Sequence, residues 1–446
     1  MQHSPTKALA DYVVQAQPGD LPAAVTKEAA RTFVNWLGCA VGGAHHETLD
    51  IAIAALSPFA GAGTASVLGR NERTDPLHAA LFNGISSHIF DFDDTHLRTV
   101  IHPAGPVASA LLAFAEYQPV SGAAFLNALV LGIEVECRIG NAVYPEHYDI
   151  GWHITGTTGV FGAAAAIGKL LGLDAQRLSW AFGLAATQPV GLREMFGTMT
   201  KSFHPGRAAQ NGFTAALLAA SGYTSSEHGI EAKRGWANVL STAHNYAEIT
   251  EGLGAHYEIL ANTYKPFACG IVIHPAIDGC IQLREAHHLD PAAIAKVDLR
   301  VHHLVLELTG KTAPKTGLEG KFSVFHAAAM AFIEGDGGEP QFSDEAVVRP
   351  AVIALRDRIE AVTDPAIAPD EVRITLTMQD GRVIEHHVPH AIGSMARPMT
   401  DADLAKKFHG LVDPILGPNR AAGLLDKAWK IGTAESAAAI AEAARL

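Results

Sequence analysis

Between residues 103 and 220 the chain is written almost entirely in Ala-rich helical text. Small residues recur there at three- and four-residue spacing, as in Gly156, Gly159 and Gly162-Ala163. A stripe of small side chains lets two helix axes approach closely, so the pattern predicts a compact bundle. Helices are expected over 106–117, 122–143, 155–171, 174–187 and 205–220, with Asp174 as an N-cap after Gly172. Upstream, 5–43 reads as two helices, 49–56 as a short one and 61–71 as a Gly-rich connection. Asp75-Pro76 opens a helix over 77–89, because Pro at an early helical position has no N–H to leave unpaired.

The character of the text changes near Lys265. Residues 297–308 and 371–378 alternate apolar with polar, as half-buried strands do. Gln379-Asp380-Gly381 supplies a turn into a further strand over 382–388. Helices over 322–333 and 343–358 lie between these strands, and Ala-rich helix resumes after Met399, with 400–403 as its N-cap region. The expected fold is therefore mostly α. A large all-helical bundle domain is built from both chain ends, residues 1–265 and 398–446, and a smaller α+β domain, residues 266–397, is inserted.

A chain of 446 residues with 48% hydrophobic residues can bury a large core. Its net charge of −13 argues against nucleic acid or an anionic membrane as partner. No stretch reaches the roughly 18 uninterrupted apolar residues of a membrane span. Met1-Gln2-His3-Ser4-Pro5 shows no basic region followed by an apolar run, so no signal peptide is expected. Cys39, Cys137, Cys269 and Cys280 match no metal-ligand spacing and read as small buried apolar groups, which fits a reducing cytoplasm.

One stretch stands out against this text, where charge is scarce. Residues 88–102 hold Asp91, Asp93, Asp94 and Thr95 together with His88, His96 and His102. An Asp-rich Mg²⁺ motif would place another carboxylate one helical turn on, but Leu97 and Arg98 follow, and Arg98 opposes a cation. No metal site is expected. The adjacent His pairs at 45/46, 287/288, 302/303 and 386/387 also lack the H-E-x-x-H spacing. Three single histidines, His102, His153 and His204, each read as set just before a helix, where an imidazole can meet an anion. Lys201 lies among small polar residues, with Arg193 and Arg207 nearby as further cations, and Lys265 sits at the proposed domain boundary, where clefts form. Phosphate-loop and nucleophile-elbow patterns fail: the Gly required five positions before Gly310 is Val305.

Taken together, Asp91-Phe92-Asp93-Asp94-Thr95, His102-Pro103-x-Gly105, Gly151-Trp152-His153, Gly197-Thr198-Met199-Thr200-Lys201 and Lys265-Pro266-Phe267 resemble the MmgE/PrpD family. The resemblance runs over nearly the whole chain. That family includes 2-methylcitrate dehydratases, cis-aconitate decarboxylases and an iminodisuccinate epimerase. The resemblance implies a homodimer of the fold described above, with no cofactor and no metal, and a site between the two domains. It places Asp91, Thr95, His102, His153, Lys201 and Lys265 in that site. Two positions depart from the decarboxylase pattern: Gly270 stands where a His is expected, and Val324 where a Tyr is expected.

Reactions of this kind make or quench a carbanion beside a carboxylate, so they need cations for the carboxylates and a matched base and acid. The expected substrate is a small polycarboxylate. His102, His153, Lys201 and Asp91 are the expected catalytic groups, and Thr95, Arg193, Lys265, His204 and Arg207 the binding groups. Three bare carboxylates would repel such a substrate. Asp91 and Thr95 are therefore expected to face the site, while Asp93 and Asp94 cap backbone and tether cations. A hydro-lyase is the first expectation and an epimerase the second. A cis-aconitate decarboxylase and a non-catalytic helical binding protein rank below them.

Overall fold

The computed structural model describes residues 4–446, so Met1–His3, on which part of the N-terminal reading falls, lie outside the described residues. Contacts divide the chain into two units. The first holds the chain up to Ile89, Asp93–Asn262 and Leu404–Leu446; the second holds Phe90–Phe92 and Thr263–Asp403. Helix dominates and the sheets are small, giving a mostly α fold with a smaller α+β portion.

Six helices carry the argument in the first unit: α1 (Ala23–Gly42), α2 (Pro76–His88), α3 (Ala104–Tyr117), α4 (Gly122–Val143), α5 (Ile154–Leu170) and α6 (Thr200–Ala220). They cross through glycines. A β-carbon on Gly84 of α2 would sit 2.5 Å from the Gly206 Cα of α6. One on Gly212 of α6 would lie 2.4 Å from the Val160 carbonyl oxygen of α5, and one on Gly162 of α5 would lie 2.9 Å from the Gly132 carbonyl oxygen of α4. Backbone therefore meets backbone at these crossings, the close approach that the small-residue spacing predicts. Around them Trp36, Phe82, Phe114, Phe125, Phe161 and Phe213 are fully buried. Each contributes about 1.5–3 kcal/mol of hydrophobic stabilisation.

Several elements differ from expectation. Helix α6 begins at Thr200, with Pro205 inside it, rather than at 205. Pro205 lies just past the first turn, whose N–H groups have no intrahelical acceptor anyway, so it forfeits a single backbone bond there. The strand expected over 297–308 ends at Val301, and a helix follows at His303–Thr309. The helix expected over 343–358 breaks before Pro350 into Asp344–Val347 and Pro350–Arg356. A strand that local pattern did not reveal, Ile359–Thr363, comes next. Its residues alternate weakly, and the sheet rather than their own periodicity holds them extended.

In the second unit, β1 (Ile294–Val301), β2 (Ile359–Thr363), β3 (Val372–Met378) and β4 (Val383–Val388) form a sheet of order β2-β1-β3-β4. Strand β2 runs parallel to β1, and the other pairs are antiparallel. Val297, Leu299, Val301, Ile374 and Leu376 point to the buried face. A helix at His274–His287 covers it, closely enough that a β-carbon on Gly279 would lie 2.6 Å from Ile374 Cδ1. Lys296 and Arg300 line the wet face.

Gly206→Val is expected to destabilise the first unit by about 1–3 kcal/mol or more, because backbone on α2 cannot give way. Gly410→Ala, in the Asp401–Leu416 helix with nothing within 4 Å of the added carbon, is expected to gain about 0.5–1 kcal/mol. Urea unfolding of the two variants checks this; equal effects would contradict the crossing described here.

Candidate active site

Helix α2 starts on a complete N-cap, Asp75 accepting from the N–H groups of Leu77 and His78, and ends on His88. The chain then turns through Asp91, whose φ of 52° lies in the left-handed region that Asp tolerates better than most residues. From Asp94 to His102 a tight loop folds back on itself. The His96 N–H donates to the Ile101 carbonyl at 2.8 Å, and Val100 takes φ 55°, a conformation that costs a β-branched residue energy. Asp94 secures the exit of this loop: its Oδ2 accepts from the Ala104 N–H at 3.2 Å, at the start of α3, and from Asn262 Nδ2 at 2.7 Å.

This backbone gathers the imidazoles. His88 Nδ1 meets Asp93 Oδ2 at 2.7 Å, and His102 Nδ1 lies 3.4 Å from Asp93 Oδ1. His102 Nδ1 also lies 2.8 Å from the Asp94 carbonyl oxygen and 3.4 Å from Thr95 Oγ1. A carbonyl oxygen can only accept, so Nδ1 carries the proton, and Nε2 holds the basic lone pair of the neutral ring. His153, the residue just before α5, places its Nδ1 2.8 Å from His204 Nδ1 on α6. Gly191 makes that approach possible: it has φ 108°, its carbonyl accepts the His153 N–H at 3.1 Å, and a β-carbon on it would lie 2.9 Å from His204 Nδ1. The ring of His102 lies 4.7 Å from that of His88 and 6.3 Å from that of His153. Phe196 sets its edge against His153 at 5.0 Å, and Lys201 Nζ lies 5.3 Å from the centroid of the Phe196 ring.

Burial governs the charge of the cluster. His88, Asp93, His102, His153, Lys201 and His204 are all buried. Burial, with the charges of Lys201 and the neighbouring imidazoles, pushes His153 well below the usual imidazole range. The same two causes bring His204 down to about 4. Both rings are thus neutral in the empty protein at neutral pH. Burial, then repulsion from Asp93, raises Asp94 to about 7 against the pull of its Asn262 and Ala104 hydrogen bonds.

The first unit thus brings together five of the residues singled out in the sequence: Thr95, His102, His153, Lys201 and His204. His204 does so from within α6 and not from ahead of a helix as expected. Asp91 and Lys265 meet each other in the second unit, Lys265 Nζ lying 2.8 Å from Asp91 Oδ1 and 2.9 Å from its carbonyl oxygen. Lys321, which sequence reading did not single out, binds the carbonyl oxygens of Phe90 and Ala268 at 2.8 Å and the carboxylate of Glu339. Arg193 stacks on Tyr148, 4.1 Å from its ring centroid, and Arg207 is exposed and bonded to Gln210. Sequence reading also gave no role to His88, Phe196 or Asn262. A signal for His88 was present, since it ends a helix five residues before Asp93.

Three helices, α3, α5 and α6, begin at or within a few residues of His102, His153 and Lys201. The positive ends of these helix dipoles and the Lys201 ammonium favour an anion there. The arrangement can therefore hold a carboxylate and move a proton at His102 Nε2.

Comparison with known proteins follows this geometry. The MmgE/PrpD N-terminal domain model matches residues 7–249, and the MmgE/PrpD C-terminal domain model matches residues 267–431. The cis-aconitate decarboxylase-like protein oryM of Aspergillus oryzae is 29% identical over 444 residues, covering 93% of this chain and 92% of its own. The cis-aconitate decarboxylase of Homo sapiens is 26% identical, covering 93% of this chain and 89% of its own. The 2-methylcitrate dehydratase of Cupriavidus necator is 23% identical, covering 85% and 84%.

The raised Asp94 carboxyl gives a test. Its pKa in the folded protein, about 7, lies above its ordinary value of 3.8, so the fold favours the protonated form. The stability tied to this group is present at low pH and is lost as pH rises from about 4 through about 7. Asp94→Asn cannot ionise. Its melting temperature relative to the unsubstituted protein is expected to climb between about pH 4 and pH 7. A difference independent of pH would contradict the assignment.

Proposed function

The chain belongs to the MmgE/PrpD family, and from that premise we propose that it is a lyase that removes a proton next to a carboxylate of a small di- or tricarboxylate, acting as a hydro-lyase. The observation that carries this reading is the tautomer of His102. With Nδ1–H held by the Asp94 carbonyl oxygen, Nε2 is the basic nitrogen, and Asp93 at 3.4 Å stabilises the imidazolium that forms when it takes a proton.

The chemistry balances on these groups. His102 Nε2 takes the proton from carbon, and the electron pair left behind is delocalised into the adjacent carboxylate. Lys201 and the positive ends of the helix dipoles offset that charge. The pair then forms the alkene as the β-hydroxyl leaves, taking a proton from the His153–His204 pair to depart as water. In the empty site His153 is neutral and has no proton to spare for this step. A bound carboxylate reverses that balance, since an opposite charge nearby favours imidazolium. Substrate thus charges its own acid. Asp91 holds Lys265 in the second unit.

Decarboxylation is the second reading, favoured by the cis-aconitate decarboxylases among the relatives. There the C–CO₂ bond breaks, its electrons move into the unsaturated acid, and an imidazolium returns a proton to carbon. Gly270 supports dehydration over this route, because it provides no side chain where the decarboxylase pattern has a His. Separate assays for water loss from hydroxylated tricarboxylates and for CO₂ release from unsaturated ones distinguish the two.

His102→Asn is expected to lower kcat by about 10²–10⁴-fold with little change in melting temperature, the usual range for a lost general base. Lys201→Met is expected to raise KM for the polycarboxylate as well as lower kcat, since it removes a cation from both ground and transition states. Steady-state kinetics on the two variants check this; full activity in His102→Asn would sink the proposed base.

A further inference from the structure

We propose that His88, His102 and His153 also form a binding site for a divalent transition-metal ion of the zinc type, and that its occupancy switches the acid/base site off. The second half rests on the proposed roles of His102 and His153; the first does not.

Each of the three buried rings offers a nitrogen, and the three nitrogens lie within 4.8 Å of one another. At that limit an equilateral set has its centre about 2.8 Å from each nitrogen, while Zn–N bonds are about 2.0–2.1 Å. Each ring therefore needs to close by only about 0.7 Å, a small tilt at the end of a side chain. Spacing in sequence could not reveal this set, because the ligands come from the end of α2, the loop before α3 and the residue ahead of α5.

The surroundings are those of a metal-binding histidine. His88 Nδ1 is held by Asp93 Oδ2 at 2.7 Å, and His102 Nδ1 by the Asp94 carbonyl oxygen at 2.8 Å. Carboxylate and carbonyl partners of this kind fix the ring, set the tautomer and turn Nε2 into the ligand. His88 Nε2 is buried with no hydrogen-bond partner among the described residues, a costly state that a bound ion would relieve. Imidazole ligation favours zinc, copper or nickel over magnesium or calcium. A fourth position is open to water or a ligand carboxylate, as in three-histidine sites. Lys201 acts on His153 and opposes a second cation, so binding is expected to be weaker than at a structural zinc site. An ion held there takes the lone pairs of His102 and His153 and leaves neither able to move a proton.

The test uses the full chain, titrated with ZnCl₂ by calorimetry and with CoCl₂ by visible absorption. The expected result is about one ion per chain and the intense cobalt band of a low-coordinate nitrogen site. Asp93→Asn is expected to weaken binding by about 10–100-fold. His88→Gln is expected to abolish it, and alanines at His302 and His303 to leave it unchanged. The protein has 23 histidines, so ions held only at the surface would bind undiminished in His88→Gln, and that result overturns the site. So does the weak cobalt band of a six-coordinate oxygen site in the unsubstituted protein, a readout that does not depend on any variant folding. Turnover measured with zinc at saturation separates the two halves. Full inhibition supports both. Undiminished turnover with the site filled leaves the metal site standing and overturns the switch, together with the proposed roles of His102 and His153.

Discussion

A single carboxylate, Asp93, lies against two buried imidazoles. Its Oδ2 is 2.7 Å from His88 and its Oδ1 3.4 Å from His102, and all three residues are buried. A buried charge is tolerable only when partnered, and a buried imidazole keeps a defined tautomer only when one nitrogen is spoken for. Asp93 fixes the tautomer of His88, and the Asp94 carbonyl oxygen fixes that of His102. Asp94 plays a different part. It ties the loop to the start of α3 and to Asn262, and its raised pKa marks it as a group the fold prefers uncharged.

The bundle serves this arrangement through its glycines. Where Gly84 meets Gly206, helices α2 and α6 approach at backbone contact, so the end of α2 and the first turns of α6 can feed one small volume. Helix starts then surround the imidazoles and lend it a positive potential without adding many fully charged side chains. A polycarboxylate therefore meets a polar, buried site in which His153 and His204 are neutral when it is empty. Binding supplies the negative charge that the imidazoles need to take up protons. The substrate is in this sense part of the acid/base machinery.

Much of this was legible in the sequence, and the reasons for the rest are physical. The helices were readable because Ala-rich text with small residues at fixed spacing has few other ways to bury itself. Asp174 capped its helix as expected, because capping is a local interaction. Pro205 misled by the same logic: Pro favours the first turn, but here the helix starts five residues earlier and accepts one missing bond. Strand Ile359–Thr363 was not readable, since its parallel partner β1 lies more than fifty residues away in sequence. Among site residues, the motifs around Asp91, His102, His153 and Lys201 were legible as a set. His88 was not, because a histidine ending an apolar helix looks like any other until the fold shows Asp93 against it. Arg193 and Arg207 looked like binding cations from proximity in sequence alone. The fold stacks one on Tyr148 and turns the other to solvent.

The central claim is that His153 and His204 are neutral when the site is empty and are charged by a bound polyanion. Calorimetric titration with tricarballylate, a tricarboxylate with no hydroxyl to lose, in buffers of different ionisation enthalpy measures it directly. The account predicts net proton uptake on binding, with affinity falling as pH rises, because the bound state holds more protons than the free one. Binding with no proton uptake, or with proton release, would contradict it.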